Sequence, residues 1–195
     1  MSAPPQTVSV SVLKMIKFNV AEINRCTVTE GPYKRLTIWF QGCDLSCDGC
    51  FNRDFKTLEI KNLISLDRLL SIIRESRERY GIEGVTYLGG EPTIQIGLSE
   101  LSRSISEMGL GIIAFTGHAY ESVKERLKWC DLVIDGRFDN KQLDYERRLI
   151  GSKNQRIISL TERYSDKLDW FISDGKVEMD VNVGSAVFAN GDGVL

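Results

Sequence analysis

The sequence predicts an α/β fold with a mainly parallel sheet, and three observations carry that expectation. Short β-branched or aromatic runs alternate with segments of helical periodicity along most of the chain, which implies βαβ units around a parallel sheet, either open or closed into an incomplete barrel. The length, 195 residues, fits one domain able to bury a core without cross-links. Residues of chemical character gather in loops that follow the predicted strands, where ligands sit in such folds.

The elements follow in order. Residues 1–17 open with MSAPPQT, which holds two of the four prolines, and read as a loose tail. Val8 to Phe18 is broken by Lys14 and Lys17 and has no small-residue cleavage site, so it makes a poor signal peptide. Leu36 to Gln41 (LTIWFQ) is the first predicted strand, with Trp39 and Phe40 in the core, and it runs through Gly42 into a cysteine cluster. Ser65 is a good N-cap for a helix whose apolar face is Leu66, Leu69, Leu70 and Ile73, and Gly81 after Tyr80 is a good stop. Val85 to Leu88 is a second strand that breaks at Gly89-Gly90, followed by a helical face of Leu98, Leu101, Ile105 and Met108. Ile112 to Phe115 is a third strand, Tyr120, Val123 and Leu127 a third helical face, Leu132 to Ile134 a fourth strand, and Ile157-Ile158 a fifth. A polar helix-like piece, Thr161 to Ile172, and alternating Val177, Met179, Val181 and Val183 then suggest a late hairpin near Asn182 to Ser185. Residues 18–160 are the expected core domain and 161–195 a short extension packed on it.

Charge and cysteine content exclude several classes. With 25 Lys and Arg against 27 Asp and Glu, the formal charge is -2 and the pI near 5.6, so no nucleic-acid footprint is expected. No apolar run approaches the roughly 20 residues that span a bilayer, so no membrane partner is expected either. Five Cys are too few for a disulfide scaffold and cannot all pair, which points to a reducing, cytoplasmic compartment.

Three of those cysteines, Cys43, Cys47 and Cys50, stand in GCDLSCDGCFN at C-x3-C-x2-C spacing. Thiolates on a short Gly-flanked loop select zinc, Cu(I) or iron-sulfur clusters. A closed zinc site needs four ligands, and the chain has no second C-x2-C, one His (His118) and two scattered thiols, Cys26 and Cys130. An iron-sulfur cluster held by three cysteines instead keeps one iron open to a small molecule.

This cluster resembles the signature of radical S-adenosylmethionine (SAM) enzymes, and Leu88-Gly89-Gly90-Glu91-Pro92 is similar to their GGE(P) motif. The resemblance implies a partial (βα) barrel of the radical SAM type. It further implies a [4Fe-4S] cluster on Cys43, Cys47 and Cys50, reductive cleavage of SAM to a 5'-deoxyadenosyl radical, and contacts to SAM from Gly89, Gly90 and Glu91. The segment Leu132 to Leu160 resembles the DG-[KR]-F... G-S-x-N-Q run of activating enzymes for anaerobic ribonucleotide reductase, and more distantly that of pyruvate formate-lyase activating enzyme. By that likeness Asp135 and Arg137 sit near SAM, with Asn154, Gln155 and Arg156 completing the same end. Gly49 before the third cysteine, with Phe51 after it, matches reductase activases and implies adenine-side contacts. Glu30 to Arg35 is similar to the family's GPG-x-R run, with Tyr33 in place of its second glycine. The implied partners are a glycyl-radical enzyme, anaerobic ribonucleotide reductase first, and a low-potential electron donor. The rival within the family is a small-molecule enzyme like 7-carboxy-7-deazaguanine synthase; outside it, a zinc-binding module using Cys26 or Cys130 as fourth ligand. Otherwise Cys130 reads as a small buried hydrophobe; His118, at the carboxyl end of the third strand, is placed where it could line the SAM pocket but reads first as an exposed loop residue.

Overall fold

The structure is a computed structural model that describes residues 15–172, 178–183 and 187–191. Most of the expected N-terminal tail, Val177 and the turn of the expected hairpin lie outside these residues. The strands are β1 Lys17–Thr27, β2 Arg35–Phe40, β3 Leu63–Ser65, β4 Gly84–Gly89, β5 Gly111–Thr116, β6 Leu132–Asp135, β7 Arg156–Ser159, β8 Met179–Val183 and β9 Val187–Gly191. The helices are α1 Leu66–Tyr80, α2 Leu98–Glu107 and α3 Tyr120–Leu127. A seven-stranded sheet has the order β3-β1-β2-β4-β5-β6-β7, and β8 pairs with β9 in a separate antiparallel hairpin.

The centre of the sheet, β2-β4-β5-β6, is parallel, as the alternation of strands and helices implies. Its flanks are antiparallel: β1 against β2 and β3, and β7 against β6. β1 has no counterpart in the sequence reading. Register shifts between Val20 and Glu22 and between Asn24 and Thr27 break its apolar alternation, and a bulged strand does not keep a period of two.

Local signals place the helices. Ser65 accepts a hydrogen bond from the Arg68 amide at 3.3 Å, and Gly81 closes α1 in the left-handed region at φ +67°. The polar piece after Leu160 is a run of 3-10 turns, Glu162–Phe171, kinked at Tyr164. One face of the sheet (Leu36, Ile38, Phe40, Val85, Tyr87, Ile112) packs on Leu69 and Ile73 of α1 and Leu98, Leu101 and Ile105 of α2. The other face, Ile113, Leu132 and Ile134, packs on Ile150, Tyr164 and Phe171. All six residues of β2 are buried, Trp39 and Phe40 among them, so the strand leading to the cysteines is fixed on both sides.

Arg35 anchors the amino ends of the parallel strands. Its guanidinium is fully buried and donates to Thr86 Oγ1 (2.6 Å), Tyr164 Oη (2.9 Å), the Val85 carbonyl (2.8 Å) and Glu83 Oε2 (3.2 Å). Glycines make the room: a Cβ at Gly84 would stand 2.8 Å from Arg35 Nη2, and one at Gly111 would stand 2.0 Å from Tyr164 Oη. Tyr33, at φ +66°, holds the left-handed conformation that glycine adopts freely, which explains the glycine of the related motif at that place. Replacing Arg35 with Met leaves Tyr164 and Glu83 without their shared donor. Arg163 still pairs with Glu83 at 2.6 Å, so the expected loss is about 3 kcal/mol, the lower end for a buried pair that loses one partner. Urea denaturation measures it; a loss below about 1 kcal/mol, the scale of a surface pair, contradicts the assignment.

Candidate functional site

β2 delivers the chain to Gln41-Gly42, where it turns into the cysteine loop. Gln41 Nε2 donates to the Thr57 carbonyl and hydroxyl, both at 2.9 Å. The Gly42 amide donates to Phe55 O at 2.8 Å and the Cys43 amide to Lys56 O at 3.1 Å, so the returning limb of the loop lies against its start. Cys43, Cys47 and Cys50 are half-buried free thiols on this loop. The Leu45 amide donates to Cys43 Sγ at 3.4 Å. Burial pushes the Cys43 thiol up, Glu91, Asp44 and Cys47 add to the effect, and the Leu45 amide works against it. Binding as thiolate therefore releases a proton.

The donor set suits a polynuclear group. Three soft thiolates on an eight-residue loop are ligands of the kind that hold an iron-sulfur cluster. The two other thiols are remote. Cys26 is on β1 opposite the amino half of β2, and Cys130 is buried just before β6, at the amino ends of the parallel strands. Neither is placed to serve as a fourth ligand.

The GGE turn is fused to the start of the same loop. The Gly90 amide donates to Phe40 O and the Glu91 amide to Gly42 O, both at 2.8 Å. A Cβ at Gly89 would lie 2.4 Å from the Phe40 backbone and one at Gly90 2.1 Å from Gly42 O. The close approach that these glycines permit is thus to the chain itself. Glu91, 1% exposed, is a joint between loops: Oε1 accepts from the Thr93 amide (3.0 Å), Thr93 Oγ1 (2.6 Å) and Thr116 Oγ1 (2.8 Å), and Oε2 from the Gly117 amide (2.8 Å). Oε1 is saturated, while Oε2 keeps acceptor capacity.

The ends of β5 and β6 reach the cysteine loop as well. His118 Nε2 lies 3.1 Å from Asp44 Oδ1, and Arg137 Nη2 contacts both the carbonyl and, at 3.2 Å, the hydroxyl of Ser46. Gly49, at φ +72°, faces Phe138 and Asn140, and the Phe51 ring packs on Phe138 with centroids 5.0 Å apart. Asp135 points elsewhere: fully buried, it accepts from the Tyr120 amide at 2.7 Å and from Arg156 Nε at 2.9 Å. Asn154 and Gln155 bond the carbonyls of Arg137 and Gly136 at 2.8 and 3.1 Å. The Asp135–Gly136–Arg137 turn and residues 154–156 therefore meet, as the resemblance implies, with Arg137 rather than Asp135 nearer the cysteines. Gly117 carries no sequence signal beyond its place after β5; His118 reads first as an exposed loop residue yet lies against the cysteine loop, and Phe138, the aromatic of the DG-[KR]-F run, is the ring on which Phe51 packs.

At Asp135, burial raises the pKa, but Arg156 and the Tyr120 amide outweigh it and hold the carboxyl below its ordinary value. A lowered folded pKa gives stability that is present above the unfolded value, about 3.9, and lost as pH falls through the folded one. Stability of Asp135→Asn is accordingly expected to fall less steeply than that of the parent chain below about pH 4, as read by chemical denaturation across a pH series.

Residues 29–158 match the family described as 4Fe-4S single cluster domain. The chain is 30% identical over 151 residues to the anaerobic ribonucleoside-triphosphate reductase-activating protein of Enterobacteria phage T4, covering 74% of this chain and 96% of the phage protein. It is 27% identical over 166 residues to pyruvate formate-lyase-activating enzyme of Staphylococcus aureus (strain USA300), covering 78% of this chain and 65% of that enzyme. Among solved structures, QueE from Escherichia coli is similar at 20% identity with a TM-score of 0.46, over 57% of each chain. The match to the family over residues 29–158 and the 30% identity to the phage activating protein make the chain a member of the 4Fe-4S single cluster family, within the radical SAM activating enzymes.

Proposed function

We propose that this chain activates anaerobic ribonucleotide reductase by generating a glycyl radical on it. The observation that carries the reading is the convergence of the cysteine loop, the GGE turn and the Gly136–Arg137 turn at the carboxyl ends of the parallel strands β2, β4 and β6. The relative matched over 96% of its own length is named for that reductase, which supports this partner over other glycyl-radical enzymes. On this reading the sheet is the partial (βα) barrel of the radical SAM type. Residues 18–160 are its core and 161–195 an extension packed on it. The chain works in the cytoplasm with a low-potential electron donor.

Cys43, Cys47 and Cys50 would hold a [4Fe-4S] cluster. When bound, the cluster supplies the electron for reductive cleavage of SAM at its open iron. The protein's part is binding, orientation and exclusion of water. Glu91 Oε2, with acceptor capacity left, is the group for the methionine ammonium, beside Gly89 and Gly90. Gly49 and Phe51 offer backbone and ring to the adenine side, and the Arg137 guanidinium is the nearby cation for the methionine carboxylate. Asp135 orients the Arg137 turn by fixing Arg156 and the start of α3.

Ser at position 43, 47 or 50 is expected to abolish iron loading and SAM cleavage, while Cys26→Ser and Cys130→Ser keep both. Iron and sulfide analysis with 5'-deoxyadenosine assay decides, and the opposite pattern overturns the ligand assignment. Mixed anaerobically with reductant, SAM and the reductase, the loaded protein should produce a glycyl-radical doublet in electron paramagnetic resonance. No doublet with any glycyl-radical partner, together with SAM turnover accelerated by a pterin-like small molecule, would place the chain with small-molecule enzymes instead.

A further inference from the structure

The three residues between Cys43 and Cys47 are each seated on a strand end. Asp44 meets His118 Nε2 at 3.1 Å, Leu45 lies over Gly117, and Ser46 is held by the Arg137 guanidinium. His118 and Gly117 directly follow β5, and Arg137 follows β6 by two residues. Gly117 lets Leu45 lie close: a Cβ there would stand 2.3 Å from Leu45 Cδ1, so the Leu45 side chain would have to swing aside. His118 is in turn held in place by its own amide, which donates to Thr116 Oγ1 at 3.1 Å; that hydroxyl donates to the Glu91 carboxylate at 2.8 Å. One chain of contacts therefore runs from the GGE turn, through Thr116 and His118, to the residue after the first cysteine. The second half of the loop is supported separately, by Phe138 and Asn140 against Gly49 and Phe51.

We propose that His118 and Gly117 are positioning residues for the cluster loop, which with Arg137 set where Cys43 and Cys47 are presented, independently of Cys50. The proposal rests on the reading of these cysteines as cluster ligands. His118 acts through Asp44 and touches no thiol in this arrangement. The x3 spacing thereby acquires a physical role: each of its three residues has its own seat, Asp44 and Leu45 at the end of β5 and Ser46 at the end of β6.

The test uses the full chain with His118→Ala, His118→Gln and Gly117→Ala. Asp44 is half-exposed, so losing its partner leaves it solvated, and Leu45 can swing from a new methyl group; a thermal melt checks that all three variants fold. In cluster-free protein, iodoacetamide alkylation followed by peptide mass spectrometry should run about two- to fivefold faster at Cys43 and Cys47 in His118→Ala and Gly117→Ala, the factor expected of a partly exposed contact. Cys50 should keep the parent rate, and buried Cys130 should stay unreactive as the internal reference. Gln at 118, which can still donate to Asp44, should restore the parent rate. In reconstituted protein the two disruptive variants should hold less iron per chain and show a shifted midpoint potential and altered g-values of the reduced cluster. Parent-like alkylation at Cys43 and Cys47, or equal acceleration at Cys50, overturns the proposal. If the parent chain itself takes up no cluster, the ligand reading fails, and the alkylation arm still decides whether His118 and Gly117 position the loop.

Discussion

The site depends on one backbone-to-backbone contact, the approach of Gly90 to the carbonyl of Gly42. Two segments almost fifty residues apart touch so closely that a methyl group at position 90 would overlap a carbonyl oxygen at 2.1 Å. Each amide of the contact is satisfied, Gly90 by Phe40 and Glu91 by Gly42, so the end of β4 and the start of the cysteine loop behave as one piece. Everything further out is referenced to that piece. Glu91 ties it to the end of β5 through Thr116 and Gly117, and His118 carries the reference onward to Asp44.

The opposite end of the sheet solves a different problem with different chemistry. There a desolvated guanidinium on β2 collects carbonyl and side-chain acceptors of β4 and β5, and Gly84 and Gly111 leave space for it and for the Tyr164 hydroxyl. An ionic group so placed is tolerated when its donors are matched, and Arg35 finds Thr86, Val85, Glu83 and Tyr164. An open cleft of about 800 Å³ bordered by Tyr33, Tyr80 and Trp170 also lies at this end, away from the cysteines. Rigidity at the strand starts leaves the strand ends free to be irregular, half-exposed and polar, which cluster chemistry requires.

Legibility in the sequence followed the physics of each signal. α1 was readable to the residue because Ser65 and Gly81 are local caps, and the parallel strands because their apolar runs are short and bounded by glycines. β1 was not readable, since its bulges destroy the period of two, and neither was the antiparallel pairing of β7 with β6, which is a matter of connection rather than composition. The cysteine and GGE motifs could be named from spacing, but their fusion could not. That Gly89 and Gly90 make room for Phe40 and Gly42 is visible only in the fold. Asp135 could be placed near SAM only by its motif; its partners, Arg156 and the Tyr120 amide, come from elements that only the fold brings near. The place of His118 at the end of a strand was legible, but its contact with Asp44 was not, since a single histidine in a loop carries no periodicity to interpret.

The reversal of β7 has a wider consequence. Because β7 runs back along β6, residues 136–155 leave the sheet and return to it at the same end, where Asp135 is clasped by Arg156 and Gly136 by Gln155. Arg147 gathers the interior of this excursion by bonding Asp144 and the carbonyls of Ser152, Lys153 and Gln155. An excursion clasped at both feet can change length or sequence without shifting the register of any strand. Between Asn140, which faces the cysteine loop, and Ile150, its anchor in the core, the excursion is a plug rather than a link in the sheet, and divergence in what a common core recognises can accumulate there.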